Sequence, residues 1–157
     1  MLKVYFIKVG IAGILSGRIV YRYRDIWGGF FMKEKRILIV DDEQGIVFLL
    51  EELLVSAGYG TITARTGRKA IQIAEEEYLD LIILDFQLPM KNGLEVIREI
   101  QSQGITTPII MMTGMSEEIE VLLKDIDQVK GLLKKPFDIT EVITLVERNL
   151  KLDKIQV

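Results

Sequence analysis

Leu81-Ile82-Ile83-Leu84-Asp85 is an unbroken apolar run that stops on a carboxylate. Four aliphatic residues in succession leave no polar face for water. As a strand, the run therefore belongs inside a sheet covered on both sides, as parallel sheets are. Ending it on a charge makes sense only where the strand leaves the sheet, so Asp85 is the residue to explain. The same pattern recurs along the chain. Ile37-Leu38-Ile39-Val40 ends in Asp41-Asp42, Pro108 to Met112 ends in Thr113-Gly114, and Val129 to Leu133 ends in Lys134-Lys135-Pro136. Thr61 to Ala64 adds a shorter strand.

Helical periodicity fills the gaps. Ile46, Leu49, Leu50, Leu53 and Leu54 follow the i, i+3, i+4, i+7, i+8 rule, with Asp42 or Glu43 where a capping acid belongs and Gly58 placed to close the helix. Gly67 to Glu77 reads as a helix turning Ala70, Ile71, Ala74 and Tyr78 inward, and Leu94, Ile97 and Ile100 mark the next one. Ser116 caps a weaker helix reaching Lys124, and a final helix uses Ile139, Val142, Ile143, Val146 and Leu150. Strand and helix thus alternate five times. That predicts an α/β fold, a five-stranded parallel sheet doubly wound by helices, with right-handed crossovers.

The 157 residues carry a net charge of −3, with neither cysteine nor histidine. Disulfides, thiolate catalysis and thiolate metal sites are excluded, and imidazole chemistry has to come from a partner. The charge is uneven. Residues 1–31 carry five basic groups and one acid, a net of +4, leaving −7 on the rest. So acidic a domain is a poor match to phosphate backbones, so direct nucleic-acid binding is not expected. Within the first 31 residues the longest uncharged stretch, Val9 to Gly17, is far short of the ~20 apolar residues of a membrane span. Alternation at Ile19 to Arg24 suits an amphipathic strand, and Gly28-Gly29 breaks the pattern. Residues 1–31 are therefore expected to be a leader or extension outside the folded domain, which occupies 32–157.

In sheets of this kind ligands sit beyond the carboxyl ends of the strands. Asp41, Asp42, Asp85, Thr113 and Lys135 all fall there, so topology alone gathers them on one edge. Singly, each has a plainer reading: a helix cap, a turn hydroxyl, a surface lysine before proline. Together, three carboxylates repel unless a cation joins them. An all-oxygen donor set favours Mg²⁺ or Mn²⁺. A hydroxyl and an ammonium beside such an ion suit a phosphoryl group, and an ionised Asp85 needs no base to accept it. A nucleotide-hydrolysing reading lacks its Gly-x-x-x-x-Gly-Lys-Ser/Thr loop.

Ile-Leu-Ile-Val-Asp-Asp-Glu at 37–43, Leu-Asp-Phe-Gln-Leu-Pro-Met-Lys-Asn-Gly at 84–93, Met-Thr-Gly at 112–114 and Lys-Lys-Pro-Phe at 134–137 together resemble the receiver domain of two-component response regulators. The resemblance runs from about Lys35 to Leu150. It implies a flavodoxin-like fold with strand order 2-1-3-4-5, Asp85 as phosphoacceptor, Asp42 as a direct Mg²⁺ ligand and Asp41 as one acting largely through water. It further implies a backbone carbonyl ligand at Gln87, a switch hydroxyl at Thr113, a phosphoryl ion pair at Lys135 and a cis Lys135-Pro136 bond. Leu132 departs from the family pattern, which places an aromatic or histidine three residues before the lysine. Sequence around Asp42 and Lys135 looks similar to stand-alone sporulation-type phosphorelay receivers. That likeness implies a cytoplasmic protein taking phosphoryl from a sensor histidine kinase and passing it to a histidine phosphotransferase. Gln44, Gly45, Ile46, Pro136 and Phe137 would form the partner surface, although Ile46 equally suits simple core. Such a protein is not a conventional enzyme, since it catalyses only its own aspartyl phosphorylation and dephosphorylation. The alternative is a chemotaxis-regulator-like module whose phosphorylation switches binding to a target protein. Gln87 and Met115 flank the expected phosphoryl position and are candidates for tuning its lifetime.

Overall fold

The computed structural model describes residues 7–15, 18–27, 30–31, 34–114 and 117–150. The chain divides into two compact units, Met1–Glu34 and Lys35–Val157. In the first, strands Ile7–Leu15, Arg18–Trp27 and Phe30–Phe31 pair antiparallel, with Gly10 opposite Tyr23. The alternating stretch at Ile19 to Arg24 is thus strand.

The second unit alternates β1 (Arg36–Val40), α1 (Gln44–Ser56), β2 (Gly60–Ala64), α2 (Gly67–Glu76), β3 (Leu81–Asp85), α3 (Gly93–Ser102), β4 (Ile109–Thr113), α4 (Glu117–Lys124), β5 (Val129–Lys134) and α5 (Ile139–Asn149). All five strands are parallel, in the order β2-β1-β3-β4-β5. The doubly wound, flavodoxin-like arrangement is therefore present, with β3 at its centre and all five β3 residues buried.

Strand alternation divides the core. Leu38, Val40, Ile82, Leu84, Ile109 and Met111 face α2, α3 and Leu123 of α4 on one side of the sheet. Ile37, Ile39, Leu81, Ile83, Ile110 and Met112 face Leu50 and Leu54 of α1 and Val142 and Val146 of α5 on the other. Both faces of β1, β3 and β4 are covered, which explains why their sequences read as continuous apolar runs. Each fully buried aliphatic side chain contributes roughly 1.5–3 kcal/mol, and Ile83→Ala at the centre would cost about 2–5 kcal/mol.

Four details differ from the periodic reading. Leu49 is exposed and Val47 is buried in its place, because α1 is apolar on nearly every side from Ile46 to Leu50 and its phase is ambiguous. Tyr78 is exposed because α2 ends at Glu76 and the chain has already left the helical track. Ile139, the first residue of α5, is also exposed, whereas Val142 and Val146 lie inside as expected. Residue Glu43 is the N-cap of α1 by position, but its side chain makes no capping bond.

Helix ends elsewhere follow sequence. Gly58 adopts φ +91°, its amide donates to the Val55 carbonyl (3.0 Å), and Tyr59 N–H donates to the Leu54 carbonyl (3.0 Å). These two bonds form a Schellman closure, where glycine avoids the Cβ penalty of the left-handed region. Thr66 caps α2 through Lys69 N–H, and Asn92 with Glu95 forms a reciprocal capping box on α3. The expected Ser116 cap lies outside the described residues, as does Met115.

Candidate functional site

The carboxyl ends of β1, β3, β4 and β5 meet as topology requires. Asp41 follows β1 directly, fully buried, with its amide donating to the Ala64 carbonyl at the end of β2 (3.2 Å). Asp85 is the last residue of β3 and Thr113 the last of β4, both buried. Lys135 follows β5, and its amide donates to the Thr113 carbonyl (2.8 Å), tying the lysine to the threonine through the backbone. Beyond Asp85 the chain loops back: the Gly93 amide donates to the Phe86 carbonyl (2.8 Å). A Cβ on Gly93 would come within 3.0 Å of both the Asp85 carbonyl oxygen and Phe86 Cα, so glycine there lets α3 start against the strand end.

Lys135 Nζ draws the acids together. It lies 2.7 Å from Asp41 Oδ2, 3.1 Å from Asp85 Oδ1 and 3.5 Å from Glu43 Oε1. Burial pushes the Asp85 carboxyl above the usual carboxylate range. The Lys135 ammonium opposes that rise, and the charges of Asp41 and Asp42 add to it. For Lys135 itself burial works against the charged form, but bonds to Asp41 and Asp85 outweigh it and raise its pKa.

Asp41, Asp42 and Asp85 each place a carboxylate oxygen within 4.8 Å of the other two. Two oxygens on one Mg²⁺ at ~2.1 Å are at most ~4.2 Å apart, so the trio fits an ion after a shift below an ångström, or through water. Thr113 Oγ1 is buried with no hydrogen-bond partner among the described residues. Such a hydroxyl costs about 1–3 kcal/mol unless something polar meets it, and an anion's oxygen beside it would do so. The donor set and the orphaned hydroxyl together fit a cation with a phosphoryl group.

The remaining sequence candidates fall nearby. Gln87 is exposed, two residues past Asp85. Gln44 and Gly45 are exposed at the start of α1, and Pro136 is exposed after a cis Lys135-Pro136 bond. Ile46 and Phe137 are half-buried and pack against the α1/α5 core, so Ile46 has a structural role whatever else it does. Leu132 is half-buried against the opposite core layer, beside the α4 side of the sheet. Two contacts escape the sequence reading. Glu43 reaches Lys135, and Arg65, just past β2, donates from Nη2 to the Asp42 carbonyl (2.8 Å). The end of β2 lies on the same sheet edge as the others, which is the signal for Arg65.

Residues 37–147 match the family model of the response regulator receiver domain. The alkaline phosphatase synthesis transcriptional regulatory protein PhoP of Bacillus subtilis (strain 168) is 40% identical over 121 residues, covering 77% of this chain and 50% of that protein. The chain thus spans about half the length of that relative. Among solved structures, the chemotaxis response regulator CheY4 of Vibrio cholerae aligns with a TM-score of 0.69 at 29% identity, covering 75% of this chain and all (100%) of that one. The receiver domain of the sensor histidine kinase PA1611 from Pseudomonas aeruginosa PAO1, solved with magnesium coordinated in its active site cleft, aligns at 0.66 and 29% identity, covering 73% and 96%. Receiver domains bind magnesium at an acidic pocket, and the acids after β1 with the acid ending β3 supply one here. With the fold, the strand-end cluster and the family match in agreement, this chain belongs to the response regulator receiver domain family.

Proposed function

We propose that Asp85 is the phosphoacceptor, taking a phosphoryl group from a sensor histidine kinase in a metal-dependent reaction and relaying it to a histidine phosphotransferase in the cytoplasm. One observation carries this: a buried carboxylate ends the central strand beside a lysine it shares with Asp41, and the next strand ends on a threonine hydroxyl without a partner among the described residues. In the transfer, an Asp85 oxygen forms a bond to phosphorus as the bond to the donor's imidazole nitrogen breaks, the electron pair leaving with that nitrogen. Asp85 attacks ionised, so no general base is required. Its burial strips away the water that would blunt the carboxylate. When bound by Asp41, Asp42, Asp85 and the Gln87 carbonyl, Mg²⁺ (or Mn²⁺, by the same preference for oxygen) supplies positive charge against the phosphoryl oxygens. Lys135 then exchanges part of its carboxylate pairing for a phosphoryl oxygen, and Thr113 donates its hydroxyl to another. Gln44, Gly45, Ile46, Pro136 and Phe137 surround this edge and form the proposed docking surface for the histidine-bearing partner.

A second reading, a phosphorylation-switched module that binds a target protein, draws on Val121 and Leu122, exposed apolar residues of α4. Rapid reversible transfer to an isolated phosphotransferase favours the relay, whereas a target that binds only the phosphorylated form favours the switch. The test of the shared chemistry is incubation with acetyl phosphate and Mg²⁺, followed by intact mass measurement. A phosphoryl adduct is expected in wild type with metal and in neither Asp85→Asn nor the metal-free control. An adduct on Asp85→Asn would reject the assignment.

A further inference from the structure

We infer that Arg65 is a positioning residue for the metal-bearing turn, a role that rests on reading Asp41, Asp42 and Asp85 as a magnesium site. The turn Asp41-Asp42-Glu43 is held at three points. The Asp41 amide donates to the Ala64 carbonyl (3.2 Å), the Glu43 amide donates to Asp41 Oδ1 (2.8 Å), and Arg65 Nη2 donates to the Asp42 carbonyl (2.8 Å). The first two fix the residues on either side of Asp42. The second and third act on one peptide plane, the one that follows Asp42: its N–H, from Glu43, is held by Asp41 and its carbonyl by Arg65. Helix α1 does not take over this task, because its Ile46 and Val47 amides both donate to the Glu43 carbonyl (3.1 Å each) rather than to that of Asp42. The Asp42 carbonyl lies one residue too early for the helix to hold, and a guanidinium from the residue after β2 holds it instead. If the plane after Asp42 rotates, the direction of its side chain rotates with it, and the carboxylate leaves the other two acids.

An exposed arginine on a carbonyl is often only a surface contact, but here the two physical effects have opposite signs. As a bare charge at the rim of an acidic pocket, Arg65 repels a divalent cation, and its removal strengthens binding. As a brace, it pre-orients a ligand, and its removal weakens binding. Added salt screens the first effect and leaves the second, since the Debye length falls from ~8 Å at 0.15 M to ~3 Å at 1 M. Groups that orient a ligand change metal affinity by roughly 10–100-fold when they touch the ligating side chain. Arg65 acts one bond further back, through the main chain, so about a 5-fold effect is expected.

The experiment is calorimetric titration of the full chain with MgCl₂ at low and high KCl, using wild type, Arg65→Ala and Asp42→Asn, with a metal-free thermal melt of each. Arg65→Ala should raise the Mg²⁺ dissociation constant about 5-fold at both salt concentrations, with an unshifted metal-free melt. An unchanged or lower dissociation constant overturns the inference, as does a weakening matched by a general loss of thermal stability. Asp42→Asn separates this failure from that of the underlying site. If Asp42→Asn binds Mg²⁺ as wild type does, the metal reading itself falls, whereas a loss confined to Asp42→Asn removes only the role of Arg65.

Discussion

At the scale of single residues, Asp85 and Lys135 make opposite contributions to the metal-free fold. Burial raises the Asp85 pKa, so its charged form is less favourable in the folded state than in the unfolded chain. An acid of this kind contributes stability below its unfolded value and loses it as pH rises through the folded one. At neutral pH the charge is therefore a cost carried for function. Asp85→Asn should raise the metal-free melting midpoint by about 4 °C for a change near 1 kcal/mol. The gain should grow from nothing at pH 3 to its full size above the raised pKa, as differential scanning calorimetry at several pH values would read. A flat difference across that range would show that desolvation of the charge is not its cause. Lys135, with its pKa raised, stabilises throughout the range below its ordinary value and loses that contribution only at strongly alkaline pH. Lys135→Met leaves Asp41 and Asp85 facing each other unpaired and should cost about 1–3 kcal/mol in urea unfolding, partial exposure of the ammonium keeping it below a fully buried pair. Added Mg²⁺ should recover part of that loss in Lys135→Met, since a cation again separates the acids.

Elements show where sequence reading succeeds and where it loses information. Strands β1, β3 and β4 were legible because burial on both faces leaves a signal that needs no phase. Topology then placed Asp41, Asp85, Thr113 and Lys135 together without any knowledge of side-chain contacts. Helix α1 was legible as a helix but not in its phase: with Ile46, Val47, Phe48, Leu49 and Leu50 all apolar, period alone does not say which faces inward. The answer comes from tertiary packing, which buries Val47, Leu50 and Leu54 and leaves Phe48, Leu49 and Val55 in solvent. For Arg65, topology marks only its place on the strand-end edge, since a hydrogen bond to a main-chain carbonyl has no sequence signature. Gly45, near the start of α1, and Gly58, just past its end, give a paired prediction. A Cβ on Gly45 meets nothing within 4 Å, so Gly45→Ala should stabilise the domain by about 0.5–1 kcal/mol in urea unfolding. Gly58 also has open space around it, yet its φ of +91° should make Gly58→Ala cost about 1–2 kcal/mol in the same assay. Equal effects at both sites would mean that backbone conformation does not control the helix end. Because Gly45 lies on the proposed docking surface, its alanine variant should also slow phosphotransfer from a kinase while leaving acetyl-phosphate labelling unchanged.

At the scale of the whole molecule, everything the proposed chemistry needs lies between Lys35 and Leu150. Both core layers are built from residues of that segment, with α2, α3 and α4 closing one face of the sheet and α1 and α5 the other. The edges of the segment are tied internally as well. Lys35 Nζ pairs with Asp80 (3.1 Å), Asp80 also accepts from the Arg36 amide (2.9 Å), and Leu150 is buried against the α1/α5 layer. A first strand anchored at its own start needs nothing upstream to set its register. The net charge of +4 on residues 1–31 is, in addition, of the wrong sign to assist the proposed cation site. Removing residues 1–34 should therefore leave a segment that melts cooperatively, with a midpoint within about 2 °C of the full chain, a difference near 0.5 kcal/mol. The shortened protein should bind Mg²⁺ with the same affinity and gain the acetyl-phosphate adduct at the same rate. A fall of the midpoint by ten degrees or more, or loss of metal binding after truncation, would show that the antiparallel unit supplies part of the fold's stability or of its site.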